Sequence, residues 1–209
     1  NPRGIPAVTY LLIAVNVAIY LLVSVPLSSA PVDPHDPQVR AYIDAITPAL
    51  PRGVSLSDAL GQISQYDLYV FAHGFRPSTP SAFDLLYALF LHANFLHLFG
   101  NMLFLWIYGD NVEHRLGRLK FLVAYLGTGI AATLFHTLFA RSSPLPLIGA
   151  SGAISGVLGF YFVWFPRNQV RILFFFPFFS VINVPARGIG DKAQVGLQVA
   201  ARQAQPVFQ

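Results

Sequence analysis

Three side chains in this sequence have the types and spacing for nucleophilic catalysis. Ser151 sits in Gly149-Ala150-Ser151-Gly152, and His97 and Asn101 lie four residues apart. A serine hydroxyl becomes a nucleophile when a base takes its proton and donors stabilise the developing oxyanion. Water then completes the second step. Four-residue spacing puts His97 and Asn101 on one helix face, one turn apart, where both side chains can donate hydrogen bonds. A helix starting near Ser151 adds backbone N–H groups without intrahelical partners and the positive end of the helix dipole. The same residues also have structural uses. Gly149, Gly152 and Gly156 can form a close helix-packing surface, and Ser151 can bond its own i−4 carbonyl. His97 and Asn101 can bridge helices. Both readings stay open at this point.

The elements that carry these groups are apolar enough for a membrane. The 209 residues are 55% hydrophobic and 11% charged, with a mean hydropathy of +0.56. Soluble domains carry about 25% charged residues. The basic residues are scattered rather than clustered with aromatics, which argues against a nucleic-acid partner. There is no cysteine, so disulfides, thiolate catalysis and Cys-type zinc sites are excluded.

Four stretches reach the roughly 17–25 residues that cross a hydrocarbon core. They are Ala7–Val25 (ended by Pro26), a span within Leu85–Gly109, Phe121–Ala140, and a span carried by Leu147–Phe165. A fifth apolar run, Ile172–Val184, contains Pro177 and reads as an interfacial segment or the lead-in to a helix. The insert Leu27–Asp84 is expected to hold short surface helices, with Ser57 and Ser81 as N-caps. The start at Asn1 reads as trimmed, and the first apolar run reads as a span rather than a cleavable signal peptide.

Arg115, Arg118 and Lys120 follow the second span, Arg167 and Arg171 follow the fourth, and only Arg141 lies between the third and fourth. The positive-inside rule then puts the N-terminus in the cytoplasm and the large insert outside. Spans two and four both begin on the outside, which predicts one shallow depth for His97, Asn101 and Ser151. His92 is expected to point away from His97, His136 to have no reactive neighbour, and His73 and His114 to be solvated.

The residues that carry this chemistry also resemble a known family. His92-Ala-Asn-Phe-Leu-His97-Leu-Phe-Gly-Asn101 resembles the second-helix signature of rhomboid intramembrane serine proteases. Gly149-Ala-Ser151-Gly152 resembles their catalytic-serine motif, and Asn111-Val-Glu113-His-Arg115-Leu-Gly117 resembles the turn after their second helix. Tyr66-Asp67-Leu68 and His73-Gly74-Phe75 are similar to bacterial members. The resemblance implies an all-α, polytopic transmembrane helix bundle with a large external first loop, here with about four of six spans. It implies Ser151 as nucleophile and His97, Asn101 and the Ser151 amide as oxyanion donors. It also implies transmembrane protein substrates, the bacterial cell membrane as location, and no metal or cofactor.

One departure stands out: the family places its base histidine on the sixth helix, and here no histidine follows Ser151. Residues 1–185 therefore read as an incomplete rhomboid-like membrane domain, and 186–209 as a Gly/Gln-rich tail outside the family pattern. Two functions follow: a protease weakened by the missing base, or a non-catalytic protein that binds transmembrane clients. The abrupt change after Pro185 predicts that another reading frame of the coding DNA encodes apolar helices with an Ala-His-x-x-Gly motif. Translating the other two frames checks this, and finding no such helices would remove the frameshift explanation.

Overall fold

The computed structural model describes residues 4–33, 35–49, 61, 63–166, 169–174 and 180–185. The tail at 186–209 and the Ser57 cap lie outside the described residues. The chain forms two compact units, Asn1–Val157 and Leu158–Gln209.

In the first unit, α1 (Ala7–Ser28) is a 22-residue apolar helix that buries Thr9, Leu12 and Asn16. That spacing of three and four residues is one helical stripe. Pro26 does not end α1 as expected from sequence. A π-helical stretch at Tyr20–Ser24 precedes it, with the Val25 amide reaching back five residues to the Tyr20 carbonyl. The wider turn absorbs the amide that proline lacks, so the helix runs on to Ser28.

The insert holds α2 (Pro37–Ile46), capped by Asp36 through the Gln38 amide at 2.8 Å. It also holds α3 (Gln65–His73), opened by a reciprocal capping box between Ser64 and Asp67. The expected Ser81 cap is present: it opens α4 (Ala82–Tyr87) by accepting from the Asp84 amide at 3.3 Å. A 3-10 turn, Ala88–Phe90, extends α4.

The second predicted span, Leu85–Gly109, divides in two. α4 with its 3-10 turn meets α5 (Phe95–Leu116) at 86°. Asn94 restarts the chain as a helix by accepting from the His97 amide at 2.9 Å, so α5 begins ten residues later than the hydropathy suggests. α6 (Arg118–Phe139) follows after a single residue, Gly117, at φ +82°. That left-handed value favours glycine.

α7 (Ser151–Trp164) is 14 residues long, shorter than the predicted Leu147–Phe165. Residues 140–150 are held outside the helix by pairing with the insert, described below. Among the described residues two helices, α1 and α6, are long and apolar enough to cross a membrane, and the bent α4–α5 pair counts as a third if taken as one span. Large apolar side chains such as Leu22, Leu119, Val123 and Phe139 are exposed on these helices, as a lipid-facing surface requires.

In the second unit, residues predicted as an interfacial segment or helix lead-in form an antiparallel pair. β1 (Gln169–Phe174) and β2 (Ser180–Pro185) pair from Gln169↔Pro185 to Phe174↔Ser180. Val170, Ile172, Val181, Ile182 and Val184 are β-branched, which favours strand over helix.

α1 packs on α5 and α6, and α4 packs on α6. Leu105, Val112, Phe121 and Tyr125 are fully buried. The start of α1 has no cap of its own, because Pro6 offers no side-chain bond. Glu113 of α5 caps it from across the interface. One carboxylate oxygen accepts from Val8 N at 3.0 Å, and the other from Thr9 N and Thr9 Oγ1 at 2.7 and 2.8 Å. Negative charge there also faces the positive end of the helix dipole. Gly109, one turn before Glu113 on α5, lets Thr9 approach: a Cβ there would meet Thr9 Cγ2 at 3.0 Å. Glu113→Ala strands three donors at a buried position. It is expected to destabilise the protein by about 3 kcal/mol, read as a fall in unfolding midpoint in detergent micelles. An unchanged midpoint would show that the cap is not structural.

Candidate functional site

The loop before α7 is fixed by backbone bonds to the insert and to the 3-10 turn that extends α4. Phe75 and Leu147 exchange N–H···O bonds at 3.1 and 2.8 Å, Ser78 N donates to Ser143 O at 3.1 Å, and Gly149 N donates to Ala88 O at 2.8 Å. Gly74 makes room for this pairing, since a Cβ there would lie 2.7 Å from Pro146 Cβ. These rungs deliver Gly149 to a position beside α5.

Gly149 adopts φ +112°. A Cβ at this residue would lie 2.7 Å from His97 Cε1, 2.8 Å from His97 Nε2 and 3.9 Å from Asn101 Nδ2. The imidazole of His97 and the amide of Asn101 thus converge on the turn that carries Ser151 two residues later. Asn101 is buried, and its Nδ2 has no hydrogen-bond partner among the described residues. Ser151 opens α7 and is exposed. The first described amide bond there is Ile154 N to Ala150 O at 2.9 Å, so the amides of Ser151, Gly152 and Ala153 precede the helical ladder. Ser151 Oγ makes no hydrogen bond among the described residues. The back-bonding serine of α7 is Ser155, which donates to Ser151 O at 2.8 Å.

The glycine motif has its packing use as well. A Cβ at Gly152 would sit 2.7 Å from Ala132 Cβ, and one at Gly156 would collide with the side chain of Thr128. Thr128 Oγ1 donates to Ala124 O at 2.8 Å and also approaches Ala153 O at 3.4 Å. The seam joins α6 to α7, and it carries Ser151 at its end.

Other histidines sit differently from expectation. His92 does not point away from His97: their rings are 5.1 Å apart and edge-on. Five residues apart on one continuous helix the two rings would diverge, but His92 lies in the bend before α5. His92 is buried, its carbonyl accepts from Tyr66 OH at 2.8 Å, and its Nε2 is unpartnered among the described residues. His73 is half-buried against Tyr69 and Tyr87, and His114 contacts the Gly4 carbonyl at 2.7 Å.

His136 shares a cavity with Ser151. The cavity, about 170 Å³, is lined by Ala88, Leu89, Ala132, Thr133, His136, residues 147–149, Ser151 and Gly152. The four-residue series Thr128, Ala132, His136 puts His136 on one α6 stripe, and packing of that stripe against Gly152 and Gly156 turns it toward α7. Among the described residues no group of three or more His, Cys, Asp or Glu side chains is placed to hold a metal ion.

Comparison with known proteins gives a consistent family likeness. A family model described as the Rhomboid domain matches residues 80–188, just over half of the chain. Rhomboid protein 1, mitochondrial, of Saccharomyces cerevisiae is 37% identical over 101 residues, which are 46% of this chain and 29% of that protein. Rhomboid-like protein 11, chloroplastic, of Arabidopsis thaliana is 33% identical over 105 residues, or 50% of this chain and 36% of that protein. Rhomboid protease GluP of Bacillus subtilis is 44% identical over 75 residues, or 36% of this chain and 14% of that protein. The chain therefore spans about a third or less of the length of these relatives. No solved structure matches it.

The Gly149 geometry yields a contrast between two glycines. Gly149→Ala forces a side chain into the His97 ring from a backbone conformation that disfavours one. It is expected to destabilise by about 1–3 kcal/mol. Gly127→Ala, on α6 with nothing within 4 Å of the added carbon, is expected to be neutral or to stabilise by up to about 1 kcal/mol. Thermal unfolding in micelles separates the two, and equal midpoints would overturn the crowding at Gly149.

Proposed function

The chain belongs to the rhomboid family, and we propose that it is the membrane core of an intramembrane serine endopeptidase. Ser151 is the nucleophile in this reading, and His97, Asn101 and the Ser151 amide stabilise the oxyanion. One observation carries it: the buried, uncommitted amide of Asn101 and the imidazole of His97 meet the turn that leads into an exposed serine at a helix start. A carbonyl attacked by Ser151 Oγ places its developing negative charge toward those donors and the positive end of α7.

The substrates on this reading are transmembrane segments of other membrane proteins, cut near the outer surface. The basic residues at the α5–α6 turn, Arg115, Arg118 and Lys120, support a cytoplasmic N-terminus and an external site. The Bacillus subtilis relative supports a bacterial cell membrane as the location, while the yeast and Arabidopsis thaliana relatives are mitochondrial and chloroplastic. Residues 186–209 are read as a tail distinct from the membrane domain. A second reading, a non-catalytic binder of transmembrane clients, is favoured by one fact: no histidine follows Ser151 in these residues.

Fluorophosphonate labelling in micelles separates the two. Ser151 is expected to label above the background of Ser151→Ala, and Asn101→Ala is expected to slow labelling about 10²–10³-fold, the usual loss for one oxyanion donor. Cleavage of a model transmembrane substrate is expected to be weak, since loss of a catalytic partner lowers rate by orders of magnitude. Labelling no greater than that of Ser151→Ala would leave the client-binding reading.

A further inference from the structure

A chain of buried groups runs from α1 through the insert to the histidine beside Gly149. Ser24, Tyr66 and His92 are all buried, and they come from three separate elements. Ser24 lies in the π-helical stretch of α1, Tyr66 in the first turn of α3, and His92 in the bend between the 3-10 turn and α5. Tyr66 OH donates to the His92 carbonyl at 2.8 Å, and Ser24 lies beside the same hydroxyl. The His92 ring meets the His97 ring edge-on, with centroids 5.1 Å apart. His97 in turn meets the Gly149 turn.

Each link does a task that its position requires. His92 belongs to no helix, so its carbonyl lies outside the helical ladder, and Tyr66 supplies the donor that a buried carbonyl needs. Its ring has a long contact within the bend, Nδ1 to the Phe90 carbonyl at 3.3 Å, so the placement of the bend sets the placement of the ring. Tyr66 is itself held from two sides. The reciprocal capping box of Ser64 and Asp67 fixes the start of α3, and the last turn of α1, after the π stretch, packs on α3. Tyr69, one turn further along α3, is committed differently: its hydroxyl pairs with Tyr87 OH at 2.7 Å.

We propose that Tyr66 is a positioning residue for His97, acting through His92, a role that rests on the oxyanion reading above. The hydroxyl holds the bend, the bend holds the His92 ring, and that ring limits how His97 turns against Gly149. In this role Tyr66 touches neither the substrate nor the reacting atoms. Its contribution is to aim a donor before charge develops, so that no reorganisation is needed when it does. The insert thereby becomes part of the reactive site.

The test uses the full 209-residue chain in micelles, with isotopically labelled histidine, and Tyr66→Phe, which removes only the hydroxyl. By NMR, the ring signals of His92 and His97 are expected to shift, while those of His35 and His114 stay. Tyr69→Phe, on the same helix, is expected to leave His97 unmoved. Fluorophosphonate labelling of Ser151 is expected to slow about tenfold in Tyr66→Phe, part of the roughly 10²–10³-fold loss for removing one oxyanion donor outright. Tyr69→Phe is expected to label at the unsubstituted rate. In a His97→Ala background, Tyr66→Phe is expected to change labelling by less than about twofold, because residues that act through one another are not additive.

An unmoved His97 signal in Tyr66→Phe would overturn the role whatever becomes of the serine reading. Unchanged labelling by that variant would do the same, and so would equal slowing with and without His97, which marks a packing role. Labelling of the unsubstituted chain no faster than Ser151→Ala would instead sink the serine reading, and the positioning role with it, even where His97 is displaced.

Discussion

The structure depends on how closely α6 and α7 approach. In a bilayer, apolar burial does not drive helices together, because lipid tails are as apolar as leucine; close van der Waals contact does. Gly152 and Gly156 leave no room for a Cβ against Ala132 and Thr128. That contact sets the axial register of α7, and with it the level of Ser151. Ala132 and Gly152 are both walls of the cavity, so the packing seam and the cavity beside Ser151 are one surface. The two uses of the glycine motif are therefore not rivals: the packing reading describes how the serine is held.

A second constraint concerns helix ends, whose free amides and carbonyls find no water in hydrocarbon. Glu113 meets this for α1 by supplying both carboxylate oxygens from α5. Asn94 does so for α5. The loop before α7 solves it with backbone rungs to Phe75, Ser78 and Ala88. The chain before α5 is thus structural: without the Ala88 carbonyl, Gly149 N would lose its partner and the turn beside His97 would be free to move.

Much of this was legible in residue order. Spacing put His97 and Asn101 on one face, the glycines marked a close approach, and the Ser81 cap and the α1 and α6 spans followed from simple rules. What was not legible came from local events that hydropathy averages away. Asn94 restarts a helix inside an apolar run, so His92 falls in a bend and meets His97. The π stretch before Pro26 lets α1 continue. Pairing of Leu147 with Phe75, across seventy residues of sequence, shortens α7. Nothing on its own helix marks His136, since that helix carries no other reactive group. Its neighbour comes from another helix, through a register that only packing sets.

The unpaired amide of Asn101 bears on why such a site would be kept. A buried donor without a partner costs about 1–3 kcal/mol, and a merely structural polar bridge would be expected to spend it. Here it points to the Gly149 turn with nothing to bond among the described residues. On the oxyanion reading proposed above, the Asn101 amide gains a partner as negative charge develops on the attacked carbonyl. Such an interaction is stronger in the transition state than in the ground state, which is the condition for accelerating a reaction rather than tightening binding. On the endopeptidase proposal, the Asn101 amide beside the Gly149 turn is where such an interaction would form.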